Sequence, residues 1–160
     1  MFQIGDRVIY PMQGAGIIQG IEDKEVSGTP EKYFIINILS NKMQVMVPLS
    51  KAPNTGIRLV SDENMLKDVL INFKTKKLFT SQELSYRERY HINMAKVKTG
   101  KIMEGSEVVH DLMLLGENKP LNSSEKQLLL TAKKILISEI SIIKGISESN
   151  AEDLLSSNFS

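Results

Sequence analysis

Two hydrophobic periodicities divide the chain. Up to about residue 60, apolar and β-branched residues come in short runs: Arg7–Tyr10, Ile17–Glu25, Tyr33–Leu39, Met43–Pro48 and Ile57–Val60. Turn-forming clusters separate them, at Gly5-Asp6, Ser27-Gly28-Thr29-Pro30, Ser40-Asn41 and Pro53-Asn54-Thr55-Gly56. Pro11 ends the first run by removing a ladder donor, and Gly14 and Gly16 allow a sharp bend before Ile17 opens the next. Tyr33-Phe34-Ile35-Ile36-Asn37-Ile38 is almost continuously apolar, as a central strand would be. Met43 and Met46, three residues apart, are predicted to face opposite sides of one strand. Five short strands in about sixty residues predict a small, strongly bent SH3- or Tudor-like β-barrel over residues 1–60.

Beyond Val60 the period lengthens to that of a helix. Ser61 is the predicted N-cap of a helix carrying Met65, Leu66, Val69, Leu70 and Phe73. The polar, basic stretch 72–85 reads as a connection. Ser85 is placed to cap a helix over Tyr86–Lys98, closed by Thr99-Gly100. A further helix is predicted over Glu104–Leu115, stopped by Gly116. Asn122-x-x-Glu125 starts the longest helix in the manner of a capping box. Its apolar stripe runs through Leu128, Leu129, Ala132, Ile135, Leu136, Glu139, Ile140 and Ile143 to Gly145. One more short helix is expected around Ala151–Leu155. The fold class is thus a β-barrel followed by an α-helical bundle over residues 61–160.

Composition narrows the function. The 160 residues carry a formal charge of +1, so any affinity for nucleic acid must be local. It is unevenly spread: residues 1–70 hold seven Lys/Arg against eight Asp/Glu, and residues 102–160 five against nine. Between Lys74 and Lys101 stand eight basic residues against only Glu83 and Glu88. A cationic helix is what a phosphate-binding face requires, and also what an ordinary solvated face looks like. Tyr86, at its start between Ser85 and Arg87, suits stacking on a base; a half-buried tyrosine at a helix start would look the same. With no cysteine, disulfides, thiolate metal sites and cysteine nucleophiles are excluded. No apolar run reaches membrane-spanning length, and neither a signal peptide nor a phosphate loop is present, so a cytoplasmic protein is expected. His91 and His110 are too few and too far apart for a metal centre, and His110 beside Asp111 reads as structural. No enzymatic activity, cofactor or small-molecule substrate is expected.

Motifs spread along most of the chain resemble the CarD/CdnL family of bacterial transcription regulators. They begin with Phe2-x-Ile4-Gly5-Asp6-x-Val8-Ile9-Tyr10-Pro11-x-x-Gly14-x-Gly16, which is also similar to the polymerase-interaction module of the transcription-repair coupling factor. They continue through Tyr33, Val45-x-Val47-Pro48, Arg87-x-Arg89-Tyr90-x-x-Asn93, Lys96 with Thr99-Gly100, Glu107-Val108-Val109-x-Asp111-Leu112 and Leu121-x-x-x-Glu125-Lys126 to the Ala132–Glu139 helix. The resemblance implies a bridge. The barrel would dock on the RNA polymerase β subunit through Lys24, Met46, Val47 and Pro48. The helices would meet promoter double-stranded DNA at the upstream edge of the bubble through Tyr86, Arg87, Arg89, His91, Lys96 and Lys98, and so stabilise the open complex. Two departures stand out. The family's wedging tryptophan is replaced by Tyr86, and Met46 stands where family barrels carry a basic residue. An adaptor that binds polymerase without wedging DNA is the alternative, and an RNA-associated SH3-like protein a third reading.

Overall fold

A computed structural model describes residues 2–26, 28–80 and 83–159. Ser27, in the first expected hairpin turn, and Ser81 and Gln82, in the connection before the basic helix, lie outside the described residues. Five strands come first: β1 (Arg7–Tyr10), β2 (Gly14–Val26), β3 (Thr29–Ile38), β4 (Gln44–Pro48) and β5 (Arg58–Leu59). They form one antiparallel sheet in the order β4-β3-β2-β1-β5. Five helices follow: α1 (Glu63–Asn72), α2 (Tyr86–Lys98), α3 (Ile102–Asn118), α4 (Ser123–Lys144) and α5 (Glu148–Phe159).

The β1–β2 turn occupies residues 11–13, with Met12 in the left-handed region (φ 67°) and the Gln13 amide donating to the Tyr10 carbonyl at 2.9 Å. Strand β2 therefore begins at Gly14, three residues earlier than the apolar run implies. Gly16 is already within it, where a Cβ would lie 2.9 Å from Ile36 Cγ2. This is a close approach between strands, not a bend. A bulge between Ile18 and Gly20 shifts the β2–β3 register, and the paired strands then run on as a largely exposed hairpin arm. Val8, Ile18, Phe34, Ile36, Ile38 and Val47 form the heart of the sheet's core. Strand β1 is buried on both sides: Val8 enters that core, while Ile9 looks toward α4.

The helices build a second core around Leu66, Val69, Phe73, Leu112, Leu136 and Ile140. Their ends follow side-chain chemistry. Asp62, not Ser61, caps α1, its Oδ1 accepting from the Met65 amide at 2.8 Å. Ser61 Oγ accepts instead from Arg58 Nη1 at 3.3 Å, and the Ser61 amide donates to Glu139 on α4 at 2.9 Å. Ser85 caps α2 and Asn122 caps α4, as the sequence predicts, and Gly145 closes α4 in the left-handed conformation. The capping box at Asn122 is only half formed. The Glu125 amide donates to Asn122 Oδ1 at 2.9 Å, but the Glu125 carboxylate turns to Arg89. Gly116 does not stop α3, which continues to Asn118. Helix α5 spans Glu148–Phe159, well beyond Ala151–Leu155, because Phe159 has an anchor: its ring lies 5.7 Å from that of Phe73.

Candidate functional site

Helix α2 presents the basic face. Its sequence YRERYHINMAKVK is mostly polar: Asn93 and Val97 are buried, and Tyr90 and Met94 pack partly buried against the helical core. Ser85 Oγ accepts from the Glu88 amide at 3.2 Å and donates to its carboxylate at 2.9 Å, which fixes the helix start. Tyr86 is therefore the first helical residue. It is 43% exposed, its ring 6.4 Å from that of Tyr90, so an aromatic face stands open to solvent. Arg87, His91 and Lys98 are also exposed, as is Lys101 just beyond the helix.

Two expected cations are not free. Both Nε and Nη2 of Arg89 donate to the Glu125 carboxylate at 2.8 Å, in the parallel fork that guanidinium and carboxylate favour. Glu125 is 2% exposed. Its hydrogen bond holds the Arg89 pKa above the ordinary value, against the opposing effect of burial. Lys96 Nζ meets Glu107 of α3 at 2.7 Å. Arg89 and Lys96, expected to offer their charge to DNA, are thus each paired with a carboxylate from another helix in this structure. The charge count of α2 alone missed carboxylates supplied by α3 and α4.

The connection before α2 is pinned from below. The Asp111 carboxylate accepts from the Phe79 and Thr80 amides, each at 2.9 Å. Buried His110 has its Nδ1 3.0 Å from Asp111 Oδ1 and its Nε2 2.7 Å from the Thr75 carbonyl. Both ring nitrogens face acceptors, so the imidazolium satisfies them together. Burial alone would lower the His110 pKa. The hydrogen bond to Asp111, the Thr75 carbonyl and the charges of Asp111 and Glu107 outweigh it and raise the value. Rings of Phe73, Phe79 and Phe159 enclose the site at 5.0–5.8 Å.

On the sheet, alternation separates the expected docking residues. Met46 points outward and is 42% exposed, whereas Val47 is 3% exposed and packs in the core opposite Phe34. Val47 thus supports the strand from within the core. Pro48 is half-buried at the strand end. Met43 precedes β4 instead of sharing it and is exposed, so the two methionines are both open to solvent. Lys24 is exposed but pairs in register with Glu31, while Met46 pairs with Ile35. Four residues along β3 offset Lys24 and Met46 by about 13 Å along the strand direction, and they lie two strands apart across the sheet. Strand β4 is one end of the sheet, so its outer backbone edge is unpaired among the described residues.

Sequence reasoning overlooked Arg58, Glu125 and Glu139 as partners. The signal was present: Glu125 opens and Glu139 interrupts the apolar stripe of α4, and a carboxylate at a core position demands a cation. Among the described residues, no helix is long and apolar enough to cross a membrane.

The sheet module and the helical module match the two parts of a transcription factor carrying an RNA polymerase-interaction domain. The chain belongs to the CarD family: the model described as "CarD-like/TRCF RID domain" matches residues 2–61, and "CarD, C-terminal domain" matches residues 68–156. It is 46% identical over 148 residues to the "Putative transcription factor YdeB" of Bacillus subtilis (strain 168), covering 92% of this chain and 95% of that one. Among solved structures it is similar to "CdnLNt from Myxoccoccus xanthus", at 38% identity and TM-score 0.34, over 39% of this chain and 89% of that one.

Proposed function

We propose that this protein bridges RNA polymerase and promoter DNA in the cytoplasm and stabilises the open complex. The sheet of residues 1–60, curled into a small barrel, docks on the polymerase β subunit along its β4 end, with exposed Met46 making apolar contact in place of a basic residue. The helical part, residues 61–160, lays α2 against duplex DNA at the upstream edge of the bubble. Tyr86 offers a ring to the opened step, and Arg87, His91 and Lys98 hold phosphates.

The observation that carries this reading is the start of α2: an exposed aromatic ring followed by an exposed arginine, on a helix whose outer side is polar. The mechanism is differential binding, in which contacts made only with opened DNA shift the closed–open equilibrium. About 1–2 kcal/mol suffices to change that ratio roughly five- to thirtyfold. Docking supplies the effective concentration, so strong independent DNA affinity is unnecessary, in keeping with the +1 net charge.

The test is open-complex lifetime on a promoter fragment with cognate polymerase. The protein should lengthen it, and Tyr86→Ala should remove most of that effect while polymerase binding is retained. An unchanged lifetime with Tyr86→Ala removes Tyr86 from the mechanism. The internal pairing of Arg89 and Lys96 favours a second reading, an adaptor that binds polymerase without gripping DNA. A log K that does not fall with log salt would support the adaptor, because phosphate contacts impose a negative slope.

A further inference from the structure

The end of the sheet grips the end of the DNA-facing helix through one buried ion pair. Arg58 on β5 donates through Nε to the carbonyl of Gly100, two residues past α2, at 2.7 Å. Its Nη1 and Nη2 donate to the two oxygens of Glu139 on α4, each at 2.7 Å. Nη1 also reaches the Leu59 carbonyl and Ser61 Oγ, at 3.1 and 3.3 Å. The Glu139 side chain is 1% exposed, and the Ser61 amide satisfies it further at 2.9 Å. A single guanidinium thus joins β5, the exit of α2 and the middle of α4. Beside it the Pro11 ring fits between Gly56 and Gly100. A Cβ on either glycine would lie 3.0 Å from Pro11 Cγ, and both adopt positive φ (82° and 74°).

Apolar contact alone would hold the two parts together but would permit sliding. A forked, fully satisfied pair fixes an angle, since guanidinium and carboxylate bond in one plane. The chain passes directly from β5 to α1 through Val60–Asp62, and modules joined by one such segment move relative to each other unless their interface is locked. We propose that Arg58 and Glu139 are positioning residues that lock the sheet and α2 into one rigid body, so that docking the sheet aims α2 at DNA. This rests on the bridge reading above. Neither residue touches polymerase or DNA in that reading. Their contribution is to keep the effective concentration of α2 at its target from being diluted by a hinge.

The chain has no cysteine, so Glu22→Cys on β2 and Glu117→Cys on α3, both exposed, accept spin labels cleanly. Their distance distribution is measured in the otherwise unaltered protein, in Arg58→Met/Glu139→Met, and in Arg58→Lys. The double replacement removes both charges together and so leaves none unpaired. Arg58→Lys keeps the charge but loses the fork. A broader distribution is expected in the double variant and an intermediate one in Arg58→Lys. Polymerase binding and DNA binding, each measured separately, should stay within about twofold, while the effect on open-complex lifetime falls at least about fivefold. A distribution as narrow as that of the unaltered protein in both variants overturns the lock. Broadening with an undiminished lifetime effect overturns the positioning role. If the unaltered protein does not prolong the open complex, the bridge reading itself fails, and the spin-label distances alone decide whether the pair locks the junction.

Discussion

Replacing Arg89 with methionine separates a structural cation from a DNA-binding one. The change leaves the Glu125 carboxylate, 2% exposed, without its partner. Breaking a buried pair on one side costs about 3–5 kcal/mol. Arg89 is itself 21% exposed, so part of its loss is recovered by solvent. About 3 kcal/mol at pH 7 is the expected destabilisation, or a fall in Tm of about 6–12 °C for a chain of this size. Arg89→Met/Glu125→Met should restore most of the loss. The decisive assay is a salt titration of DNA binding, below the unfolding range. Arg89→Met should leave the slope of log K against log salt unchanged, whereas Arg87→Met should reduce it by about 0.9, one phosphate contact. A Tm change under about 2 °C with the slope reduced by about 0.9 in Arg89→Met would refute the assignment and return Arg89 to the DNA face.

Met46→Glu places a charge on the exposed end strand, so stability should change by no more than about 0.5 kcal/mol; polymerase binding should weaken at least about tenfold with DNA affinity unchanged, and undiminished polymerase binding would move the docking face elsewhere. His110 has a raised pKa in the fold, so its stabilisation is complete below the unfolded value of about 6.5 and is lost as pH rises through the folded one. Urea denaturation should show stability falling above about pH 6.5, with Asp111, Glu107 and the Lys96 that faces Glu107 as the surrounding charges, and His110→Gln should flatten that fall; a parallel decline in the variant would contradict it.

Much of the fold is legible because its boundaries are local chemistry. Ser85, Asn122 and Gly145 act within one turn of themselves, and their roles follow from residue type and spacing. Where the reading misplaces a boundary, a distant partner decides. Ser61 yields its cap to Asp62: its hydroxyl accepts from Arg58, and Glu139, 78 residues away, holds its amide. Helix α5 extends because Phe159 finds Phe73. The candidate site was legible as a segment but not cation by cation. The eight basic residues between Lys74 and Lys101 look equivalent in sequence. Their availability depends on whether a carboxylate such as Glu125 or Glu107 arrives from another helix, and no local pattern encodes that arrival. Strand alternation did contain the inward turn of Val47, since Met46 and Val47 are neighbours and only one can face outward.

The pairing of these charges follows from a conflict within α2. In the proposed role α2 leaves its outer side to DNA, and it fully buries only Asn93 and Val97, with Tyr90 and Met94 packed partly buried against the helical core. The Asn93 amide has no hydrogen-bonding partner among the described residues, so its burial adds little. Ion pairs supplement this limited packing. The three shortest pairs among the described residues all bear on this helix: Arg89–Glu125 near its start, Lys96–Glu107 near its end, and Arg58–Glu139 with its hold on Gly100. Charge pairs orient well but contribute less net stability than an apolar core. Helix α2 should therefore open locally at lower free energy than α3 and α4, which supply most of the helical core. Hydrogen exchange on the free protein should show α2 amides exchanging at least about tenfold faster than the central amides of α4, a gap of about 1.4 kcal/mol. Docked on polymerase and promoter together, the α2 amides should slow toward the rest. Equal protection in the free protein would mean that charge pairing holds α2 as firmly as apolar packing holds its neighbours.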